Sequence, residues 1–361
     1  MSRASVAEWI RPEILAMSAY HVAPAEGMIK LDAMENPYTW PSKLIDAWLD
    51  LLRTTSVNRY PDPDAVQLKA ALREYFGFQA ETELLLGNGS DEIILMLALA
   101  VAGSNKSALA LEPSFSMYRI ISALAGLQYV GVPLNADDFG VDQSRLFQAL
   151  DRYRPAITFL ASPNNPTGNL IDLSLLEKIA RAAPGIIVVD EAYVPFAQQS
   201  AKTLLSRNPN LLLMQTLSKI GLAGLRLGVL AGSRDLVCEI DKVRLPYNVS
   251  TLSQISARFM LKHADELRVQ ASQICRDRDD LYAAMEATRD LKVWPSRANF
   301  IAFRTRRRRA TEVHAHLRNS GVLVKCLHDS HPLLDNCLRV SVGTPRENDA
   351  FLRGLRTALT A

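Results

Sequence analysis

Seven short apolar runs lie between residues 83 and 232: ELLLGNG (83–89), SALALEP (107–113), QYVGVPL (128–134), AITFLAS (156–162), GIIVVDE (185–191), LLLMQTLS (211–218) and LGVLAG (227–232). Most are apolar at successive positions, the mark of strands buried on both faces. Amphipathic stretches of helical period, such as DEIILMLALAVA and DLSLLEKIARAA, lie between several of them. Strands spaced by helices predict an α/β domain with a mostly parallel seven-stranded sheet between helices. From about residue 250 the pattern changes. SQISARFMLKHADELRVQASQICRDRDDLYAAMEA reads as one long helix, and strand-like KVWPS, ANFIAFR, GVLVKCL and LRVSVG follow. That half predicts a smaller α+β domain. The expected division is an N-terminal arm with part of the small domain at 1–45, a large domain at 46–250, and a C-terminal small domain at 251–361. No internal repeat and no low-complexity linker interrupts the pattern.

Composition narrows the function classes. The chain has 361 residues, 48% of them hydrophobic, enough for a large core. A net charge of +3 with 22% charged residues implies neither a nucleic-acid nor a membrane partner. The one dense basic run, Arg304 and Arg306 to Arg309, has no interleaved aromatics and reads as a solvated loop after a strand. Cys238, Cys275, Cys326 and Cys337 form neither a CxxC pair nor a disulfide framework, which favours a reducing cytoplasm. The N-terminal MSRASVAEWIRPEIL lacks the apolar core of a signal peptide, and the run IILMLALAVAG from Ile93 is too short to span a bilayer. His314/His316 and His328/His331 have ligand-like spacing but no acidic or cysteine partner, so no metal is expected.

In a parallel α/β sheet, ligands gather at the carboxyl ends of the strands, and the polar motifs of this chain sit there. Gly87-Asn88-Gly89-Ser90-Asp91 follows the first strand and opens a helix, where free amides and the helix dipole favour an anion. An ordinary N-cap by Ser90 or Asp91 explains that motif equally well. SPNNPTG (162–168) follows the fourth strand and offers either a turn or an aimed amide. Asp190 ends the fifth strand, where an acid caps the next segment or pairs with a buried cation, and Tyr193 lies just beyond. TLSKIGLAGLRLG (216–228), at the end of the sixth, places Lys219 and Arg226 in a run with no carboxylate. An unpaired charge in apolar surroundings is costly, so such a lysine loses its proton or finds a partner.

One molecule satisfies all of these groups. It has an aldehyde for Lys219, a pyridine nitrogen for Asp190, a phenolate oxygen for Asn165 and Tyr193, and a phosphate for Ser90, Ser218 and Arg226. That molecule is pyridoxal 5′-phosphate.

With these motifs the chain resembles the fold-type-I pyridoxal-phosphate aminotransferases, and most closely their histidinol-phosphate branch. The resemblance runs from about Tyr20 to Phe351. It is carried by KLDAMENPY (30–38), RYPDP (59–63), LLLGNGSDEII (84–94), SPNNPTGNL (162–170), VVDEAYVPF (188–196), TLSKIGLAGLRLG (216–228), RLPYNVS (244–250), ANF (298–300) and LRVSVGTPREN (338–348). The resemblance implies that Lys219 is the Schiff-base lysine and Asp190 the partner of the ring nitrogen. It places Asn165 and Tyr193 at the ring oxygen and Ser90, Asp91, Ser218 and Arg226 around the phosphate. Phe115 stacks on the ring, and Tyr60 reaches the cofactor phosphate of a neighbouring subunit in a homodimer. Arg339, Lys325, Tyr20 and Asn36 lie on the substrate side. Three features depart from the common pattern. Met34 stands in AMENP where ANENP is usual, and Lys325 stands where many members carry arginine. Lys219 and Arg226 lie seven positions apart, one fewer than usual.

The implied reaction is a ping-pong transamination of L-histidinol phosphate with 2-oxoglutarate, giving the imidazole acetol phosphate and L-glutamate in histidine biosynthesis. An aromatic or broad-specificity aminotransferase uses the same scaffold. A phosphothreonine-type decarboxylase and a non-catalytic cofactor-binding protein are the further alternatives.

Overall fold

The computed structural model describes residues 3–19 and 23–360. The large sheet is built from β2 (Glu83–Gly87), β3 (Ser107–Glu112), β4 (Gln128–Pro133), β5 (Ile157–Ala161), β6 (Ile186–Asp190), β7 (Leu211–Thr216) and β8 (Gly228–Gly232). Its order is β2-β8-β7-β6-β5-β3-β4, with β8 antiparallel to both neighbours and the other pairs parallel. All seven predicted strands are present, within two residues of the expected bounds.

The sheet is covered on both faces, and the side chains divide between two cores by strand alternation. On β7, Leu211 and Leu213 enter one core, while Leu212 and Met214 enter the other. Every residue of β7 is buried, which is why the run reads as continuously apolar. Each fully buried leucine contributes roughly 1.5–3 kcal/mol of transfer free energy.

The second sheet has the order β1-β11-β12-β10-β9, from β1 (Ile29–Leu31), β9 (Leu291–Val293), β10 (Phe300–Thr305), β11 (Val322–Cys326) and β12 (Cys337–Ser341). β1 pairs parallel with β11, and the other pairs are antiparallel. β1 brings the chain's beginning into this sheet, so the segment Asp32–Asn36 runs from the small sheet toward the large one. One face packs Ile301, Phe303, Val324 and Val340 against Val313, Leu317, Phe351 and Leu355.

Two expectations are corrected. The long helix predicted from residue 253 is two helices, Thr251–Lys262 and Ala264–Glu286, broken at His263. Asp265 and Glu266 form an acidic first turn of the second helix, a start signal within the amphipathic run. Arg304 belongs to β10 rather than to the solvated loop, and its guanidinium donates to the carbonyls of Leu333 and Asp335.

Candidate active site

The carboxyl ends of β2, β5, β6 and β7 open on one edge of the large sheet. β8 runs the other way, so its start lies at that same edge, with Gly228 opposite both Gly87 and Thr216. Antiparallel β8 thereby delivers Arg226 to the place where the parallel strands deliver their terminal polar residues. The cavity at this edge is lined by Ser90, Asp91, Phe115, Asn165, Asp190, Tyr193, Ser218, Lys219 and Arg226, together with Met34 and Thr216.

Lys219 lies in a tight turn, Ser218–Ile220, directly after β7. Gly221 ends the turn at φ 103°, and a Cβ there would come within 2.9 Å of Asn36 Nδ2. The Lys219 amine points to the carbonyl oxygen of Ala33 at 3.5 Å and lies 5.7 Å from the centre of the Tyr193 ring. Burial, together with the nearby Arg339 charge, lowers its pKa to about 8. An amine so held is a stronger nucleophile at neutral pH than a solvated lysine.

Asp190 is buried at the end of β6. Tyr118 Oη donates to its Oδ2 at 2.6 Å, and the Ala192 amide donates to Oδ1 at 3.0 Å. Burial raises its pKa to about 6, against the lowering effect of those two hydrogen bonds. The carboxylate is therefore ionised at neutral pH and suited to a cationic ligand group. Tyr118 is a functional residue that the sequence reading misses. It sits at an apolar position of the helix Met117–Leu124, is fully buried, and stacks on Phe159 at 4.8 Å. Only its hydroxyl contact distinguishes it from an ordinary core aromatic.

Asn165 is oriented by chemistry. Arg339 Nη1 donates to its Oδ1 at 2.5 Å, and arginine can only donate. The Asn165 amide group therefore keeps its N–H donors for the cavity. Arg339 Nη2 also donates to the Asp32 carbonyl at 2.7 Å. Asp32, Ala33 and Met34 thus present three successive carbonyls to Arg339, Lys219 and Asn299.

The anion end is formed by the start of the helix Ser90–Val101 and by Ser218 and Arg226. Gly89 stands at the N-cap position with no side-chain cap, so the first-turn amides have no intrahelical acceptor. Neither Ser90 nor Asp91 takes the capping role. A Cβ on Gly89 would lie 2.5 Å from Arg226 Nη2, so only glycine lets the guanidinium lie against this turn. The Asp91 carboxylate is 3.8 Å from Arg226 Nη2. The arginine thus has a carboxylate neighbour from outside its own sequence run. Thr216 Oγ1 lies 2.9 Å from Ser218 Oγ and accepts the Ser218 amide at 3.1 Å, fixing that hydroxyl.

A second cavity, of about 260 Å³, adjoins the first and shares Met34, Phe115 and Asn165 with it. Lys325 and Arg339 line it, and they are direct partners across β11 and β12. Opposite residues of an antiparallel pair share a face of the sheet.

Three expected residues are not among those that line the cavity. Tyr20 is outside the described residues. Asn36 spends its amide on Gln270 at 2.8 Å and on the Tyr38 backbone at 2.9 Å, away from the cavity wall. Tyr60 is 79% exposed and stacks on Tyr247 at 4.4 Å. Among the described residues no group of histidine, cysteine and acidic side chains is arranged to hold a metal.

Comparison with known proteins places this geometry. The family model for aminotransferase class I and II matches residues 26–355. Histidinol-phosphate aminotransferase 2 of Nitrosococcus oceani is 51% identical over 356 residues, covering 99% of each chain. Histidinol-phosphate aminotransferase of Chromobacterium violaceum is 48% identical over 352 residues, covering 98% of each. Among solved structures, histidinol-phosphate aminotransferase from Sinorhizobium meliloti in complex with pyridoxal-5′-phosphate aligns with a TM-score of 0.86 at 23% identity, covering 97% of both chains. The fold is that of the fold-type-I enzymes, and the chain belongs to the class I and II aminotransferases.

Proposed function

We propose that this chain is a pyridoxal-phosphate-dependent aminotransferase that moves the amine of L-histidinol phosphate to 2-oxoglutarate. The products are 3-(imidazol-4-yl)-2-oxopropyl phosphate and L-glutamate, in cytoplasmic histidine biosynthesis. The observation that carries the chemistry is the pairing, in one cavity, of the half-buried Lys219 amine with the buried Asp190 carboxylate.

The residues present fit the cofactor. Asp190 is an ionised carboxylate with no ion-pair partner within 4.0 Å among the described residues, as a protonated ring nitrogen requires. Gly89 leaves the first-turn amides of Ser90 and Asp91 open beside Arg226 and Ser218, as a phosphate requires. When bound, the cofactor supplies an aldehyde and an electron-withdrawing ring. Asp190 would hold a proton on the ring nitrogen. Asn165 and Tyr193 would donate to the ring oxygen, and Phe115 would pack against the ring. With the cofactor bound, Lys219 would take the proton from the substrate Cα and deliver it to the carbon that was the cofactor's aldehyde carbon, a general acid–base step contributing roughly 10²–10⁴-fold. Arg339 and Lys325 receive the substrate's anionic group in the second cavity.

We further propose a homodimer in which Tyr60 completes the site of the other copy. Its exposure, with Val57 and Leu245 each 73% exposed, supports an interface there. The chain divides in our reading at residues 45 and 250, between the segments that build the two sheets.

Purified holoenzyme given L-histidinol phosphate and 2-oxoglutarate should form L-glutamate. A second reading, an aromatic or broad-specificity aminotransferase, is favoured by the apolar side of the second cavity, where Phe115, Tyr129, Leu327 and Leu334 lie. A higher kcat/KM for L-phenylalanine than for L-histidinol phosphate would establish that reading instead.

A further inference from the structure

The second cavity holds a donor that no part of the mechanism uses. His331 begins the turn Pro332–Leu334, and its Nδ1 accepts the Leu333 amide at 3.1 Å. An acceptor nitrogen carries no proton, so the neutral ring holds its hydrogen on Nε2. Protonating Nδ1 would turn the acceptor into a donor and break this bond. The ring is therefore kept neutral, and burial also draws its pKa below the ordinary histidine value. The turn itself is pinned by Arg304, which donates to Leu333 O at 2.8 Å and Asp335 O at 3.0 Å.

His331 lines the cavity, and its Nε2–H makes no hydrogen bond among the described residues. The nearest carboxylate oxygen, Glu112 Oε2, is 4.0 Å away, beyond hydrogen-bond reach. Glu112 is already engaged by Arg119 Nη2 at 2.6 Å, which offsets its charge. Gly131 makes room for it, since a Cβ there would lie 2.1 Å from Glu112 Oε2. Lys325 lines the same cavity and has no hydrogen bond or ion pair among the described residues. Arg339, by contrast, has both terminal nitrogens donating to protein acceptors. The cavity thus presents an ammonium and a neutral N–H that make no hydrogen bond among the described residues, beside a guanidinium that is partly committed. A phosphate has three terminal oxygens and needs more donors than a carboxylate. A lone lysine supplies a point charge without a fork.

We propose that His331 is a specificity-determining residue that donates its Nε2–H to the phosphate of the amino substrate, beside Lys325. This rests on the proposed function. His331→Asn keeps an acceptor near the Nδ1 position, so the turn cap survives, and removes the donor at Nε2. In the holoenzyme KM for L-histidinol phosphate should rise about tenfold or more, with kcat changed by less than about twofold. The inhibition constant of inorganic phosphate, competing with L-histidinol phosphate, should rise by a similar factor. His331→Gln, which places an amide donor near Nε2, should recover most of the loss. Unchanged KM and phosphate inhibition in His331→Asn would overturn the proposal. So would a loss confined to kcat or to melting temperature, which would leave His331 as a turn cap only. A wild-type enzyme that does not use L-histidinol phosphate would instead overturn the proposed function.

Discussion

Lys219 and Asp190 are each held in a charge state that opposes folding. The Lys219 pKa is about 8 in the folded chain against 10.5 for a solvated lysine. Between those values the unfolded chain binds more protons, so stability rises with pH across that window, and at neutral pH the full cost is present. Asp190 lies at about 6 against 3.8. Between those values the folded chain binds more protons, so stability falls as pH rises, and above about 6 the full cost is present. Removing either charge should stabilise the cofactor-free protein. Lys219→Met and Asp190→Asn should each raise its melting temperature at pH 7 by about 1–3 °C, while abolishing or severely reducing turnover. Calorimetry of the cofactor-free variants checks this, and a lower melting temperature for both would refute it. At this scale the sequence shows the charged actors because a lysine or an acid is conspicuous at the end of an apolar strand. Tyr118 is not legible, because its ring obeys the apolar pattern of its helix. Met34 is legible only as an unusual residue. The structure adds that it sits at φ 55°, with its amide on Ser341 and its carbonyl on Asn299.

Among elements, the single reversed strand matters most. β8 brings Arg226 back to the edge where β2 ends, and Gly89 leaves space for the guanidinium. Gly89 itself stands at φ 90°, ψ 166°, a region closed to residues with a Cβ. Gly89→Ala should therefore displace Arg226 and weaken cofactor binding by about tenfold or more, read by fluorescence titration of the cofactor-free protein. Unchanged affinity would show that Arg226 does not depend on this turn. Most of the large-sheet strands are legible because burial on both faces leaves them mainly apolar. β1 is not, since it spans three residues and contains a lysine. The break at His263 is hidden because both helices keep an apolar stripe across it.

For the whole molecule, the fold and the cofactor end of the site follow from local motifs, and the assembly does not. Tyr60 faces solvent in one chain, and nothing in its own sequence neighbourhood says what it meets. A shared site has a direct consequence. Lys219→Ala should be inactive and Tyr60→Ala impaired, and subunits exchanged between them should recover about a quarter of wild-type activity, from random pairing of two-fold dimers. Activity never exceeding that of the separate variants would refute shared sites. The substrate is likewise a property of the whole cavity, shaped by β11, β12 and the loops facing them. It is tested most directly by single-turnover absorbance of the purified holoenzyme, mixed separately with L-histidinol phosphate, L-phenylalanine and L-glutamate. The expected result is rapid amine transfer from L-histidinol phosphate and much slower transfer from L-phenylalanine. Faster transfer from L-phenylalanine would contradict the histidinol-phosphate assignment while leaving the aminotransferase chemistry in place.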